Sequence, residues 1–361
     1  MTKKKIFFIQ RVVADYRLPL FDSISEWADI KVFYGDPRDS TDIRPIFEKR
    51  DYLCKCFVTY MGKLFWHHKG VLDDIKHNSP DFIIISPTPR SLSYYHIYLY
   101  CKIKGIPLLG WGMGEMPGRG FFLSIFHRLV QKSVVFGLKA IICYSSKSKD
   151  YYKSLGFKGN LHVAKNAINL EILKESVVNF NQSKKDKILR ILFIGRLIPD
   201  KKIEALIKIV LEIDNFELTI AGGGDFAYQS GIIDACTNNL NKIKFLGHVE
   251  LSDLPRVCSQ NDVFVLPARG GLAINHAMAC GLPVICSEGD GTEEDLVIEG
   301  VTGYRFSNDN WQQLKDILIN ISVSKDNLKV IGNNAKKHVE NNFTIEAMSS
   351  VFKCAIEDCN K

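Results

Sequence analysis

The chain has 361 residues, 46% hydrophobic and 24% charged, a balance that supports a folded core and excludes wholesale disorder. Chains beyond about 250–300 residues tend to split into more than one core, so two domains are expected. The net charge of +7 is unevenly spread: residues 1–170 carry +12 and residues 171–361 carry −5. A basic first half points to a polyanionic partner, either a membrane surface or a nucleic acid.

No run approaches the roughly 18 apolar residues of a membrane-crossing helix. The opening MTKKKIFFIQR is basic but lacks the apolar region of a signal peptide, so the protein is expected to begin and stay in the cytoplasm. The ten cysteines fit that compartment as reduced thiols. Cys143, Cys280 and Cys286 lie in apolar stretches, and Cys54 and Cys56 form a C-x-C pair without a second pair at zinc-ligand spacing.

Apolar, β-branched runs predict strands at 5–9, 30–34, 82–86, 106–111, 140–144 and 161–164, separated by helix-length segments. Continuous runs rather than strict alternation indicate strands covered on both faces, as in a parallel sheet between helices. The pattern lapses over 171–188, which reads as a linker. It restarts with strands at 189–195, 216–221, 243–246, 262–267, 283–286 and 303–306, with helices at 202–213 and 272–280 and closing helices over 309–361. The fold class is therefore α/β: two doubly wound Rossmann-like domains, 1–170 and 189–361, facing each other across a cleft. Ligands in such sheets bind beyond the carboxyl ends of the strands, so the loops there should carry the chemistry.

The loop after strand 189–195 runs Gly195-Arg196-Leu197-Ile198-Pro199-Asp200-Lys201. A guanidinium and an ammonium at a strand end suit a diphosphate, whose charge they can neutralise without a metal. Ala221-Gly222-Gly223-Gly224-Asp225 follows strand 216–221 and allows close backbone approach. In Pro267-Ala268-Arg269-Gly270-Gly271-Leu272, a glycine turn leads into a helix whose unpaired N–H groups form an anion site. His276, about one turn into that helix, can hydrogen-bond a sugar hydroxyl or phosphate.

Taken in order, GR-x4-K, AGGGD, LP…GGL-x3-HAMACGLPVI, Gly291-Thr292-Glu293-Glu294 and Gly300-Val301-Thr302-Gly303 resemble the family 4 glycosyltransferases of the GT-B fold. An upstream stretch, QRVVADYRLPLF, looks like the opening of enzymes that build bacterial surface polysaccharides, and Lys165-Asn166-Ala167-Ile168-Asn169 looks like the family's turn at the end of the first domain. The resemblance implies a retaining transferase that takes a nucleotide-diphosphate sugar in the second domain. It implies a hydroxyl acceptor, a glycan or lipid-linked glycan of lipopolysaccharide or capsule synthesis, in the first. Arg196 and Lys201 would be catalytic; Gly195, Gly222, Arg269, Gly271, Leu272, His276 and Glu294 would bind the donor. The two glutamates that the family carries eight positions apart fall here on Ala268 and His276, and a His version of the second occurs in one branch. Ala268 motivates the alternative of a non-catalytic binding or scaffold subunit; an epimerase or phosphorylase on the same fold is a third reading.

For the acceptor, Gly110-Trp111-Gly112-Met113-Gly114-Glu115 follows strand 106–111, with Trp111 offering a stacking face, Gly112 close approach and Glu115 a hydroxyl acceptor. Tyr16 and Arg17, with Thr88 and Arg90, end other first-domain loops and are expected on the same side. Residues 121–136, with Arg128 and Lys132 one turn apart among bulky apolar residues, read either as core packing or as a helix in an anionic membrane interface. No nucleic-acid signature accompanies the basic charge, so no nucleic-acid partner is expected. No cofactor is expected, and no metal: no D-x-D-like cluster ends a strand, and Asp73-Asp74 falls in a helix.

Overall fold

The structure, a computed structural model, describes residues 3–36, 48–62, 64–114, 121–174, 187–268 and 270–359. The chain forms two compact units, Met1–Lys165 with Ile345–Lys361, and Asn166–Thr344.

The described strands of the first unit are β1 (Lys4–Ile9), β2 (Ala28–Tyr34), β3 (Leu53–Lys55), β4 (Val58–Met61), β5 (Phe65–His68), β6 (Phe82–Ile85), β7 (Leu108–Gly112), β8 (Ala140–Cys143) and β9 (Asn160–Val163). Seven make one parallel sheet in the order β3-β2-β1-β6-β7-β8-β9, and β4 and β5 form a separate antiparallel hairpin that the sequence reading did not anticipate. The topology explains the unbroken apolar runs. Neighbouring residues of β1 point to opposite faces, and both faces are covered. Phe7 meets Phe33 at 5.3 Å on one side, while Phe8 meets Phe21 at 5.2 Å and Phe352 at 6.0 Å on the other.

The second unit carries β10 (Leu189–Ile194), β11 (Phe216–Ala221), β12 (Ile243–Gly247), β13 (Val263–Leu266), β14 (Val284–Ser287) and β15 (Gly303–Phe306), all parallel, in the order β12-β11-β10-β13-β14-β15. Strand order reverses between β1 and β6 in the first sheet and between β10 and β13 in the second. Both units are doubly wound, as expected, and the switch points mark where an open α/β sheet receives its ligand.

The expected domain limits need two corrections. Residues 166–174 join the second unit rather than closing the first: Ile168 N–H donates to Phe343 at 3.3 Å, and Asn275 Nδ2 donates to the Asn166 carbonyl at 3.1 Å. Of the expected linker, Glu171–Lys174 is helical and 175–186 lie outside the described residues. The helix Ile345–Asp358, expected to close the second domain, packs on the first unit instead. Trp27 Nε1 donates to Ser349 Oγ at 3.1 Å, and Phe352 sets its ring edge-on to Trp111 at 4.9 Å. The helix's apolar stripe is the missing cover for one face of β1 and β7.

All ten cysteines are unpaired. Among the described residues, no helix is long and apolar enough to cross a membrane.

Candidate functional site

In the second unit the loops after β10, β11 and β13 make up the expected donor site. The loops after β10 and β11 continue the sheet beyond its strands. Gly195 N–H donates to Ala221 O at 3.0 Å, and Leu197 N–H donates to Gly223 O at 2.9 Å. This lacing explains the glycine run better than ligand approach does. A Cβ on Gly222 (φ +142°) would lie 1.9 Å from Gly195 O, and one on Gly224 would lie 2.1 Å from Leu197 O. Both contacts are between protein backbones. Only Gly223, with nothing within 4 Å of its would-be Cβ, faces open space.

Arg196 is exposed at the head of the β10 loop. Lys201 closes a 3-10 turn, Pro199–Lys201, and its half-buried ammonium donates to Gly270 O at 3.4 Å. The cation therefore reaches from the β10 loop to the β13 loop, across the switch point. Lys202, the next residue, is turned away into an ion pair with Asp309 at 2.6 Å.

The helix Leu272–Ala279 begins at Gly271 with no side chain capping its first N–H groups. Its positive end and the Lys201 ammonium thus share one loop, an arrangement suited to an anion. Arg269 lies outside the described residues. Ala268 is buried and offers no hydrogen-bonding group at the position of the family's first glutamate. His276 lies within the helix, half-buried, and burial pulls its pKa down to about 4. The ring is neutral at pH 7 and can donate or accept through its nitrogens.

Sequence reasoning singled out Glu294, which is exposed, and missed its neighbour. Glu293 is fully buried: one carboxylate oxygen accepts from Gly289 N–H at 2.6 Å, and the other accepts from Gly291 N–H at 2.9 Å. Burial pushes its pKa up, and the backbone donors act against that shift. The side chain shapes the 289–291 loop. Which of two adjacent glutamates turns inward depends on the phase of a helix only five residues long, Thr292–Leu296, and no local signal in the sequence sets that phase. No group of three or more His, Cys, Asp or Glu among the described residues could hold a metal ion.

In the first unit, the loop after β1 brings Tyr16 and Arg17 to the ends of β7 and β8. The Arg17 guanidinium lies over the rings of Trp111 at 4.5 Å, Tyr144 at 4.9 Å and Tyr16 at 5.6 Å. Burial lowers its pKa, the Tyr144 and Tyr16 hydroxyls raise it, and the net direction is upward, so the charge is kept. The expectation that Trp111 offers a face to sugar is overturned. Its ring is 1% exposed, packed among Phe8, Phe21 and Phe352 with Arg17 above it. Gly112 ends β7 and is buried where a Cβ would press on Pro87 and the Tyr152 hydroxyl, each at 3.2 Å. Tyr16 remains 45% exposed. Glu115 lies outside the described residues.

Thr88 and Arg90 are half-buried in the loop after β6. The helix Phe121–Val135 is present, with Val134, Val135 and Gln131 buried. Arg128 donates to Ser154 Oγ at 3.1 Å and lies over the Tyr151 ring, a packing role.

Residues 176–338 match the family model of glycosyl transferases group 1. The match spans less than half of the chain. An uncharacterized glycosyltransferase of Methanocaldococcus jannaschii is 28% identical over 218 residues, covering 59% of this chain and 58% of that one. An amylovoran biosynthesis glycosyltransferase of Erwinia amylovora is 31% identical over 168 residues, covering 43% and 41%. The chain thus spans about half the length of the curated relatives it matches. Among solved structures, Anabaena HepE in complex with UDP superposes with a TM-score of 0.73 at 17% identity, covering 98% of this chain and all of that one. The two doubly wound units therefore share the GT-B fold of that structure, and the matched segment contains the loops after β10, β11 and β13.

Proposed function

We propose that the protein is a glycosyltransferase that moves a sugar from a nucleoside-diphosphate donor, held by the second unit, to a hydroxyl acceptor held by the first. The observation that carries this reading is the Lys201 ammonium on Gly270 O, beside the uncapped start of the helix Leu272–Ala279. Negative charge grows on the leaving diphosphate as the glycosidic bond breaks. Lys201 and the helix N-terminus lie together to receive it, Arg196 is exposed on the same loop as a third donor, and each such donor is typically worth about 3–4 kcal/mol in the transition state. This basic pair does the neutralising that a divalent cation would otherwise do, so turnover should survive EDTA. The neutral His276 ring suits a hydroxyl of the donor, and Gly223 leaves room for it. Structural likeness to HepE, solved with UDP, supports a nucleoside-diphosphate donor. The amylovoran relative supports a role in surface-polysaccharide synthesis. Retention of configuration, a lipid-linked glycan acceptor and docking of the basic half on an anionic membrane complete the reading.

Thermal unfolding with UDP, GDP, CMP and ADP tests it. One nucleotide should raise the midpoint by several degrees, since ligand at about 100 times its Kd adds ~2.7 kcal/mol. The shift should vanish in Arg196→Ala/Lys201→Ala. With the acceptor in hand, Lys201→Ala should lower turnover at least ~100-fold while the fold stays intact. Ala268 favours one second reading, a non-catalytic subunit that binds nucleotide or glycan; stabilisation by no nucleotide would favour it over the transferase.

A further inference from the structure

Arg17 differs from Arg50, the first-unit arginine with a resolved ion pair. Arg50 is matched by Asp22 at 3.0 Å and Glu48 at 2.9 Å. No carboxylate lies within ion-pair distance of Arg17 among the described residues, and its Nη1 is buried without a hydrogen-bond acceptor. Nε1 of Trp111, in the ring directly beneath the guanidinium, is buried without an acceptor as well. Two desolvated donors therefore meet at one place. The Tyr16 and Tyr144 hydroxyls accept hydrogen bonds from the guanidinium, but neither they nor the aromatic faces neutralise it, and a buried charge without a counterion is costly to keep. An apolar side chain would fill this space more cheaply. The place is also where a doubly wound sheet receives ligands: the loop leaving β1 at its switch with β6, against the carboxyl ends of β7 and β8.

We propose that Arg17 forms an anion subsite in which the guanidinium, seated on Trp111 and flanked by Tyr16 and Tyr144, binds the oxygens of a phosphoryl group on the acceptor. A guanidinium presents its donors in a planar fork that matches phosphate oxygens two at a time, and the three rings fix that fork in place. Tyr16, partly open to solvent beside it, marks the side from which the ligand enters. The phosphoryl group can come from a lipid-phosphate anchor or from a phosphorylated saccharide. The proposal rests on the reading that the first unit holds the acceptor, but anion binding is measurable without turnover.

The test is calorimetric titration of the full chain with inorganic diphosphate and geranyl diphosphate, in wild type, Arg17→Gln, Arg17→Lys and Arg196→Ala/Lys201→Ala. Binding should persist in the Arg196/Lys201 double variant, fall at least tenfold in Arg17→Gln and return in part in Arg17→Lys. Geranyl diphosphate binding at least tenfold tighter than inorganic diphosphate identifies a lipid-borne phosphate; equal affinities identify the phosphoryl group alone. Equal binding by wild type and Arg17→Gln, or binding lost only in the double variant, would overturn the subsite while leaving the donor reading intact. A measurement on the unaltered chain guards against misfolding: the Arg17 guanidinium Nε–H resonance, assigned by its absence in Arg17→Lys, should move on titration, and a resonance that stays put refutes the proposal.

Discussion

Gly222 and Gly223 are adjacent in sequence and identical in composition, yet the structure asks different things of them. At Gly222 a methyl group would press into Gly195 O in a conformation that L residues avoid, so Gly222→Ala should lower the unfolding midpoint, at a cost above ~1 kcal/mol. At Gly223 a methyl meets nothing, so Gly223→Ala should keep its midpoint and, if the open face receives ligand, weaken nucleotide binding. The glycine run itself was legible in the sequence; the division of labour within it was not, because it depends on the neighbouring loop. His276 gives a pH prediction. Its folded pKa of about 4 lies below the ordinary value of 6.5. The unfolded chain therefore takes up the proton first as pH falls, so the stability this ring contributes is complete above 6.5 and is lost on the way down to 4. Nucleotide affinity should accordingly be flat from pH 6 to 8 and weaken below about 5. An affinity that titrates with a midpoint near 6.5 would mean an ordinary, solvated imidazole.

At the scale of elements, hydrophobic periodicity identified nearly every strand of the two large sheets, because a strand covered on both faces has a run of apolar residues that no loop would carry. The β4–β5 hairpin escaped detection. Its strands are only four residues long, and neither Val58–Met61 nor Phe65–His68 carries an apolar run like those of the large sheets. The helix Ile345–Asp358 shows the same limit differently. An amphipathic helix states that it has a buried face and does not state what buries it. Phe352 is fully buried against Phe8 and Trp111, so Phe352→Ala should destabilise the first unit by ~3–5 kcal/mol. The proposed donor site of the second unit should still bind nucleotide in that variant at a temperature where the first unit has melted. Loss of both together would show that the units unfold as one. The same aromatic cluster explains why Trp111 was misread as a sugar platform: a tryptophan beside glycines reads as exposed until the helix that covers it is known.

For the whole molecule, the uneven charge of the sequence survives the redrawn unit boundaries with little change, because residues 345–361 add two lysines and three acidic residues to the first unit. Residues 1–170 carry +12, and the proposed docking predicts that this charge draws that half of the chain toward an anionic bilayer. Sedimentation with vesicles should show binding to anionic lipid at low salt, none to neutral lipid, and release near 1 M salt, where the screening length falls to about 3 Å. Retention on anionic vesicles at that ionic strength would point to inserted apolar side chains as the anchor.

The return of residues 345–358 to the first unit also bears on how the protein is made. The second unit is one continuous stretch, Asn166–Thr344, and can collapse as soon as it leaves the ribosome. The first unit cannot. Its opening 165 residues are translated first, but the helix that covers Phe8 and Trp111 follows only after about 180 more. At roughly 5–20 residues per second, that leaves one face of the sheet bare for about 10–40 s of synthesis. The usual vectorial order is thus reversed: the unit begun first is completed last.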